Sequence, residues 1–378
     1  MRIEDFMSVL DQLEASFFTG VPDSLLSPFI DFIMMKYGIS SKHVVVANEG
    51  GAVGLAAGHY LATGKPGVVY MQNSGIGNAV NPICSLLHQK VYEIPVIFVV
   101  GWRGEPGTKD EPQHIFQGEV TIAQLESLEI PTVVVCEDTT REVLDTWVTK
   151  FREHLHKGKS VAFVIRKSAL VNEKKMKYTS EAKLLREDVL EKIIEYSDTS
   201  DVFVCTTGKL SREVFEIREK KQMGHSQDFL TVGAMGHSLM IAYGIAIAKP
   251  KKRVFCLDGD GAVLMHLGGL AVVGVANQQN LVHIVINNGA HETVGGVPTV
   301  VTDLCLRDVA TNLGYQNSFR VEREEELRHF FSQINEQSGS IFVEIMCNLE
   351  SRKDLGRPTT TPIQNKKELM EFLTEDNK

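Results

Sequence analysis

Short apolar runs separated by turns rich in Gly, Asn and Asp set the rhythm of this chain. His43–Ala47, Gly67–Met71, Pro95–Val100, Pro131–Val135 and Val161–Ile165 are each five or six residues long and carry no charge beyond His43. Continuous apolar runs of this length, rather than alternating ones, mark strands covered on both faces of a parallel sheet. Helical segments fall between them, from the amphipathic N-terminus MRIEDFMSVLDQL to the small-residue stretch Ala52–Ala62. Phe17–Gly20 reads as a short strand that breaks into Val21-Pro22-Asp23-Ser24, with a helix from about Leu25. Together these predict one α/β domain over residues 1–170. Residues 172–183, NEKKMKYTSEAK, are polar and aperiodic, which predicts a linker over 171–183.

The second half repeats the logic without a residue-level repeat. A helix at Arg186–Tyr196, a strand at Asp201–Cys205 and a helix after Ser211 precede a Gly-rich stretch, Thr231–Gly244. Apolar runs at Val254–Leu257, Leu281–Ile286 and Ile341–Ile345 complete a second α/β domain over 184–350, with a single buried helix expected over Ala262–Val275. A tail, 351–378, carries a short helical pattern at Lys366–Leu373. The expected architecture is two doubly wound parallel-sheet α/β domains with no middle domain.

Composition narrows the function classes. The 378 residues are 43% hydrophobic and 23% charged, suited to a soluble protein of about two domains. A net charge of −9, from 39 basic and 48 acidic residues, speaks against nucleic-acid binding. No uncharged apolar stretch is long enough to span a membrane, and acids in the first helix distinguish it from a signal peptide. Cys84, Cys136, Cys205, Cys256, Cys305 and Cys347 are scattered, mostly within apolar runs, without a Cys-x-x-Cys pair. They are expected to be buried free thiols of a cytoplasmic protein, neither disulfides nor a zinc site.

The candidate chemistry lies where strands end. Val254–Leu257 runs into Asp258-Gly259-Asp260-Gly261, and Leu281–Ile286 stops at Asn287-Asn288-Gly289. In open α/β sheets, ligands occupy the crevice outside such ends. Asp260 offers a carboxylate, Asn288 an amide carbonyl and the following turn a backbone carbonyl, the hard oxygen donors that Mg²⁺ takes. Gly259 and Gly261 permit close backbone approach, and the helix start favours a phosphate. Read alone, Gly259-Asp260-Gly261 is equally a tight βα turn with a capping acid. The 25 residues 262–286 that separate it from the Asn pair make the combination specific. Glu49, at the end of His43–Ala47 and before two glycines, is either a helix-start acid or a buried carboxylate poised for proton transfer. Gly75-x-Gly77 lacks the third glycine of a dinucleotide fingerprint, because position 80 is Val, so Asn73, Ser74 and Gly75 are expected to wall a cleft instead. The polar loop 102–114 (WRGEPGTKDEPQH) is either a mobile solvated loop or a source, through Arg103, Lys109 and His114, of cationic or proton-donating groups for an anionic substrate.

GDG followed by NN, with FFTGVPDSLL, NEGGAVGLAAGHYLATGKP, WRGEPGTKDEPQH, GAMGHSLMIAYG and NNGAHETVGG, resembles the phosphonopyruvate decarboxylase family of thiamine diphosphate enzymes over nearly the whole chain. The related sulfopyruvate decarboxylases, usually on two chains, share the pattern. The resemblance implies pyrimidine-binding and diphosphate-binding domains and the cofactors thiamine diphosphate and Mg²⁺. It implies a metal held by Asp260, Asn288 and the carbonyl of Ala290, with Gly259, Gly261, Thr207 and Gly208 around the diphosphate. It further implies that the carbonyl of Gly233 accepts from the aminopyrimidine, that Met235 bends the cofactor, and that Glu49 activates it. Asp23, His114 and His291 are the candidates for substrate contact and proton handling. The implied reaction is non-oxidative decarboxylation of 3-phosphonopyruvate, a small anionic 2-oxo acid, to phosphonoacetaldehyde. Val297 stands where the family more often has Gln. The resemblance also implies a homodimer or homotetramer with active sites at subunit interfaces. A regulatory relative that keeps the fold would not need Glu49, GDG and NN together.

Overall fold

The computed structural model describes residues 1–374. The chain divides into two compact units, Met1–Lys177 and a second that begins at Tyr178. In the first unit the apolar runs form strands β1 (Phe18–Gly20), β2 (His43–Val45), β3 (Gly67–Gln72), β4 (Val96–Gly101), β5 (Thr132–Val135) and β6 (Val161–Ile165). All pair in parallel, in the order β2-β1-β3-β4-β6-β5. The order reverses between β1 and β3, and that switch point opens a crevice at the carboxyl ends.

The helix Glu49–Thr63 shows how local sequence builds this unit. Asn48 caps it by accepting from the Gly51 N–H at 2.8 Å, and Gly64 ends it in the left-handed region at φ 69°. Ala52, Val53, Ala56 and Ala57 face the core formed by Val69, Phe98 and Val100. Burying each larger side chain here contributes roughly 1.5–3 kcal/mol. The helix therefore starts at Glu49, three residues before the apolar pattern suggests, because the cap is polar.

The second unit contains β7 (Val202–Cys205), β8 (Asp228–Leu230), β9 (Val254–Gly259), β10 (Leu281–Asn287), the short antiparallel pair β11 (Ala290–His291) and β12 (Val297–Pro298), then β13 (Asn317–Val321) and β14 (Ile341–Met346). Its main sheet is again parallel and six-stranded, ordered β13-β14-β10-β9-β7-β8, with the switch between β7 and β9. No third unit separates the two.

Several expectations need correction. The single helix over Ala262–Val275 is two, Asp260–Met265 and Gly268–Ala276, broken where His266 takes φ −132° and ψ 51°. Nor is it wholly buried, since Val272 and Val275 are exposed. The six cysteines are free, but Cys84 is exposed and Cys136 and Cys305 are half-buried. Cys256 lies in the sheet with Asp258 and His283, their ligating atoms all within 4.8 Å of one another. The helical pattern near the C-terminus extends over Pro362–Thr374 and is tied to β8: Asn365 accepts from the Leu230 N–H at 3.0 Å and donates to the Asp228 carbonyl at 2.8 Å. No helix among the described residues is long and apolar enough to cross a membrane.

Candidate active site

In the first unit, four neighbouring strand ends carry the candidate residues. Following the sheet order, Glu49 comes after β2, Asp23 after β1, Asn73 after β3 and Arg103 after β4. Glu49 is buried, and burial raises its pKa against the lowering effect of a hydrogen bond from Asn78 Nδ2 to Oε2 at 2.8 Å. Gly75 makes room for it: a Cβ there would lie 2.5 Å from Glu49 Oε1. A carboxyl so enclosed holds its proton to a higher pH than an exposed glutamate does.

Asp23 is also buried, its carboxylate accepting from the Leu25 and Leu26 N–H groups at 3.0 and 3.3 Å. Desolvation nevertheless dominates and pushes it up to about 6, against the pull of Arg103 and these N–H groups. Arg103 is gripped by Asp110, which accepts from Nε at 2.9 Å and Nη2 at 2.6 Å, while Nη1 donates to Ser24 Oγ at 3.3 Å. Asn73 pins the Arg103 backbone, donating to its carbonyl at 2.8 Å and accepting from its N–H at 3.2 Å. With Glu105 paired to Arg166 at 2.7 Å, the polar loop is tied down at Arg103 and at Glu105, while residues 106–109 are exposed. His114 is buried beside it, and desolvation followed by the Arg103 charge lowers it to about 4. It is therefore neutral near pH 7 and supplies no cation.

In the second unit, Asp260 opens the helix Asp260–Met265 and is buried. Burial raises it to about 6, opposed by the Thr299 hydroxyl, which donates to Oδ2 at 2.7 Å, and by backbone N–H groups that include that of Asn288. GDG and the Asn pair thus meet. Asn288 Oδ1 accepts from the Ala290 N–H at 3.1 Å, and its Nδ2 donates to Glu292 Oε2 at 3.3 Å. Gly261 lies against both Met235 and His291: a Cβ there would stand 3.4 Å from Met235 Cε and 3.3 Å from His291 Cε1. Burial lowers His291 to about 4, so it too is neutral. Thr207 Oγ1 donates to the Val232 carbonyl at 2.8 Å, joining the turn after β7 to the stretch that holds Gly233 and Met235. Gly208 takes φ 98°, a left-handed value that favours glycine.

Two family models match this chain: the thiamine pyrophosphate enzyme N-terminal TPP binding domain over residues 3–127 and its C-terminal TPP binding domain over 206–345. Phosphonopyruvate decarboxylases of Streptomyces viridochromogenes and Streptomyces hygroscopicus are each 31% identical to it, over 98% of this chain and 94% of their own. The chain belongs to the phosphonopyruvate decarboxylase family of thiamine pyrophosphate enzymes. A sulfopyruvate decarboxylase of Methanosarcina acetivorans is 23% identical over 80% of this chain and 81% of its own. A fused single chain therefore does not by itself distinguish phosphonate from sulfonate substrates.

The residues present suit what this family binds. Asp260 is a buried carboxylate opposed only by neutral donors, and a buried charge of that kind calls for a cation. The Thr299 hydroxyl bonds this carboxylate and the Asn288 backbone N–H reaches it, so the Asn288 turn lies next to a hard oxygen donor of the kind that suits Mg²⁺. At the adjoining switch point, Thr206 Oγ1 and Ser238 Oγ are buried without hydrogen-bond partners, as groups awaiting a phosphate would be.

Several supporting residues were not visible in the sequence. Asn78 and Thr299 hold the two key carboxylates from 29 and 39 residues away. Arg186 bridges Glu213, at 2.6 and 2.7 Å, to Glu292, and Lys209 Nζ reaches Glu292 at 2.8 Å, bracing the segment after the Asn287-Asn288 turn. Only spatial proximity reveals these partners, because no local motif marks them.

Proposed function

We propose that this chain decarboxylates 3-phosphonopyruvate to phosphonoacetaldehyde and CO₂, using thiamine diphosphate and Mg²⁺. One observation carries the reading: the likeness to phosphonopyruvate decarboxylases runs through both halves of the chain, and each half keeps its buried strand-end carboxylate. When bound, the cofactor takes up the electron pair released with CO₂. Asp260, Asn288 and the Ala290 carbonyl would hold the metal, and Thr207, Gly208, Gly259 and Gly261 would line the diphosphate. Gly233 and Met235 set the cofactor's orientation. Glu49 would hold and move a proton at the aminopyrimidine of the bound cofactor. Asp23 handles the proton of the product, while neutral His114 and His291 donate or accept hydrogen bonds.

The active unit is a homo-oligomer, at least a dimer, in which Glu49 of one subunit serves the metal turn of another. The exposed apolar side chains Leu55 and Leu61 on the helix Glu49–Thr63, and Met240, Ile247, Val272 and Val275 in the second unit, support such an assembly. The dispersed free thiols and acidic composition support a cytoplasmic location.

Turnover of phosphonopyruvate, sulfopyruvate and pyruvate, compared side by side with added cofactor and Mg²⁺, tests the activity. Preference for phosphonopyruvate is expected. Preference for sulfopyruvate would favour the reading that the Methanosarcina acetivorans relative supports, and turnover of none would defeat both.

Two smaller effects are also expected. Thr299→Val removes the donor to Asp260, and calorimetry should show Mg²⁺ binding weakened by about 10-fold, as for other groups that orient a metal ligand. Asp23, raised to about 6, is the deprotonated base above that pH and loses this form as pH falls through it. The kcat profile should therefore decline about tenfold per unit below pH 6. Asp23→Asn should abolish that limb at a lower overall rate; an unchanged acid limb would remove Asp23 from proton handling.

A further inference from the structure

The substrate proposed above differs from pyruvate only at C3, where it carries a second anionic group. Something in the protein must read that group. We propose that Arg103, with Ser24 beside it, grips the tetrahedral oxyanion at C3 of the substrate, and so selects phosphono-substituted over unsubstituted 2-oxo acids. This inference rests on the proposed decarboxylase reading.

The position is the first argument. Arg103 follows β4, Asn73 follows β3 and Ser24 follows β1, three strands that lie side by side across the switch point of the first sheet. Gln72 of β3 pairs with Gly101 of β4, so Asn73 and Arg103 emerge together. Asp23 packs directly over Gly101, which puts Ser24 at the same rim. The guanidinium therefore stands where this fold class receives its ligands.

Preorganisation is the second. Asp110 accepts from Nε and Nη2, and is itself fixed by the Gly104 and Glu111 N–H groups at 2.9 and 2.8 Å. Asn73 holds the Arg103 backbone from both sides. Of the five guanidinium N–H groups, Asp110 takes two and Ser24 receives one at the long distance of 3.3 Å. The Nη1 edge and the Ser24 hydroxyl thus present donors side by side. The side chain is 23% exposed, oriented yet reachable, and Ser24 itself is exposed. A planar fork held this way matches two oxygens of a phosphonate, which a lysine ammonium cannot do.

Lys109 is exposed, with no side-chain bond among the described residues that fixes it, and His114 is neutral, so neither offers an oriented cation. Arg166 is already committed to Glu105 at 2.7 Å. Arg103 is the cation of this loop that the structure aims.

The test uses the full chain loaded with thiamine diphosphate and Mg²⁺. Arg103→Gln should lower the ratio of kcat/KM for phosphonopyruvate to that for pyruvate by at least about 30-fold, mostly through KM, because a charge-assisted fork is lost. Arg103→Lys should recover only part of it. Binding of 3-phosphonopropionate, an unreactive probe that keeps the phosphonate, should weaken similarly by calorimetry, while cofactor affinity stays within about twofold. Ser24→Asp, at an exposed position that does not disturb the Asp110 clamp, should mimic Arg103→Gln by placing a carboxylate on the same edge. Its cofactor binding reports folding should the arginine variants misfold. Equal losses with pyruvate and phosphonopyruvate would assign Arg103 to the shared carboxylate and overturn the proposal, as would unchanged probe binding in Arg103→Gln and Ser24→Asp. A wild-type protein that binds the probe through Arg103 but turns over none of the 2-oxo acids would sink the decarboxylase reading while keeping the anion site. Parallel measurements with sulfopyruvate separate a phosphonate reader from a general reader of tetrahedral oxyanions.

Discussion

Asp260→Ala should abolish Mg²⁺-dependent binding of thiamine diphosphate, with apparent metal affinity falling by at least about 100-fold. The expectation follows from the burial of this carboxylate among neutral donors, the Thr299 hydroxyl and backbone N–H groups. Burial disfavours the charged carboxylate and a cation beside it offsets that cost, whereas without the carboxylate the remaining donors are neutral. Calorimetric titration with Mg²⁺ and thiamine diphosphate together measures the effect. Unchanged affinity would remove Asp260 from the metal site.

Glu49→Gln should leave cofactor affinity within about tenfold and reduce kcat by about 1000-fold, the scale of a lost proton-transfer group. Glutamine preserves the hydrogen-bonding position next to Asn78 and the packing against Gly75, so the fold should survive. What it cannot do is exchange a proton. The shared-site proposal adds a second measurement. Glu49→Ala and Asp260→Ala proteins, each inactive, should recover part of the activity when their subunits are exchanged, because a mixed dimer keeps one site with both carboxylates. Absence of recovery in verified heterodimers would place both groups in one subunit.

Strands covered on both faces were legible because their residues need not alternate. Val161–Ile165 is observed as expected, and Gly67–Met71 is longer by only one residue. Besides the short pair β11 and β12, the strands that the pattern does not mark, Asp228–Leu230 and Asn317–Val321, are the edges of the second main sheet. Edge strands are covered less completely, so NSFRV carries polar and charged residues where a central strand would be apolar. The break at His266 was invisible for the opposite reason: the residues around it are apolar throughout, and periodicity does not reveal where an apolar helix turns.

The acid turns at 48–51 and 258–261 are local chemistry. A strand that ends in an acid or amide, followed by glycines, marks a candidate wherever the chain folds, but local sequence left Glu49 and Asp260 equally readable as helix-start acids, and the family pattern of GDG, NN and NEGG singled them out with Asn288. Their environment could not be read from either. Asn73 meets Arg103 across 30 residues, and Ser24 meets it across 79, because the order β2-β1-β3-β4 brings those strand ends side by side. The same packing buries Asp23 enough to lift it to about 6 and holds His114 neutral at about 4. Ionisation and ligand geometry depend on what surrounds a group in space, and desolvation is supplied by residues from distant elements. Sequence pattern names the candidate groups, while the sheet order and its packing decide their charge and their partners.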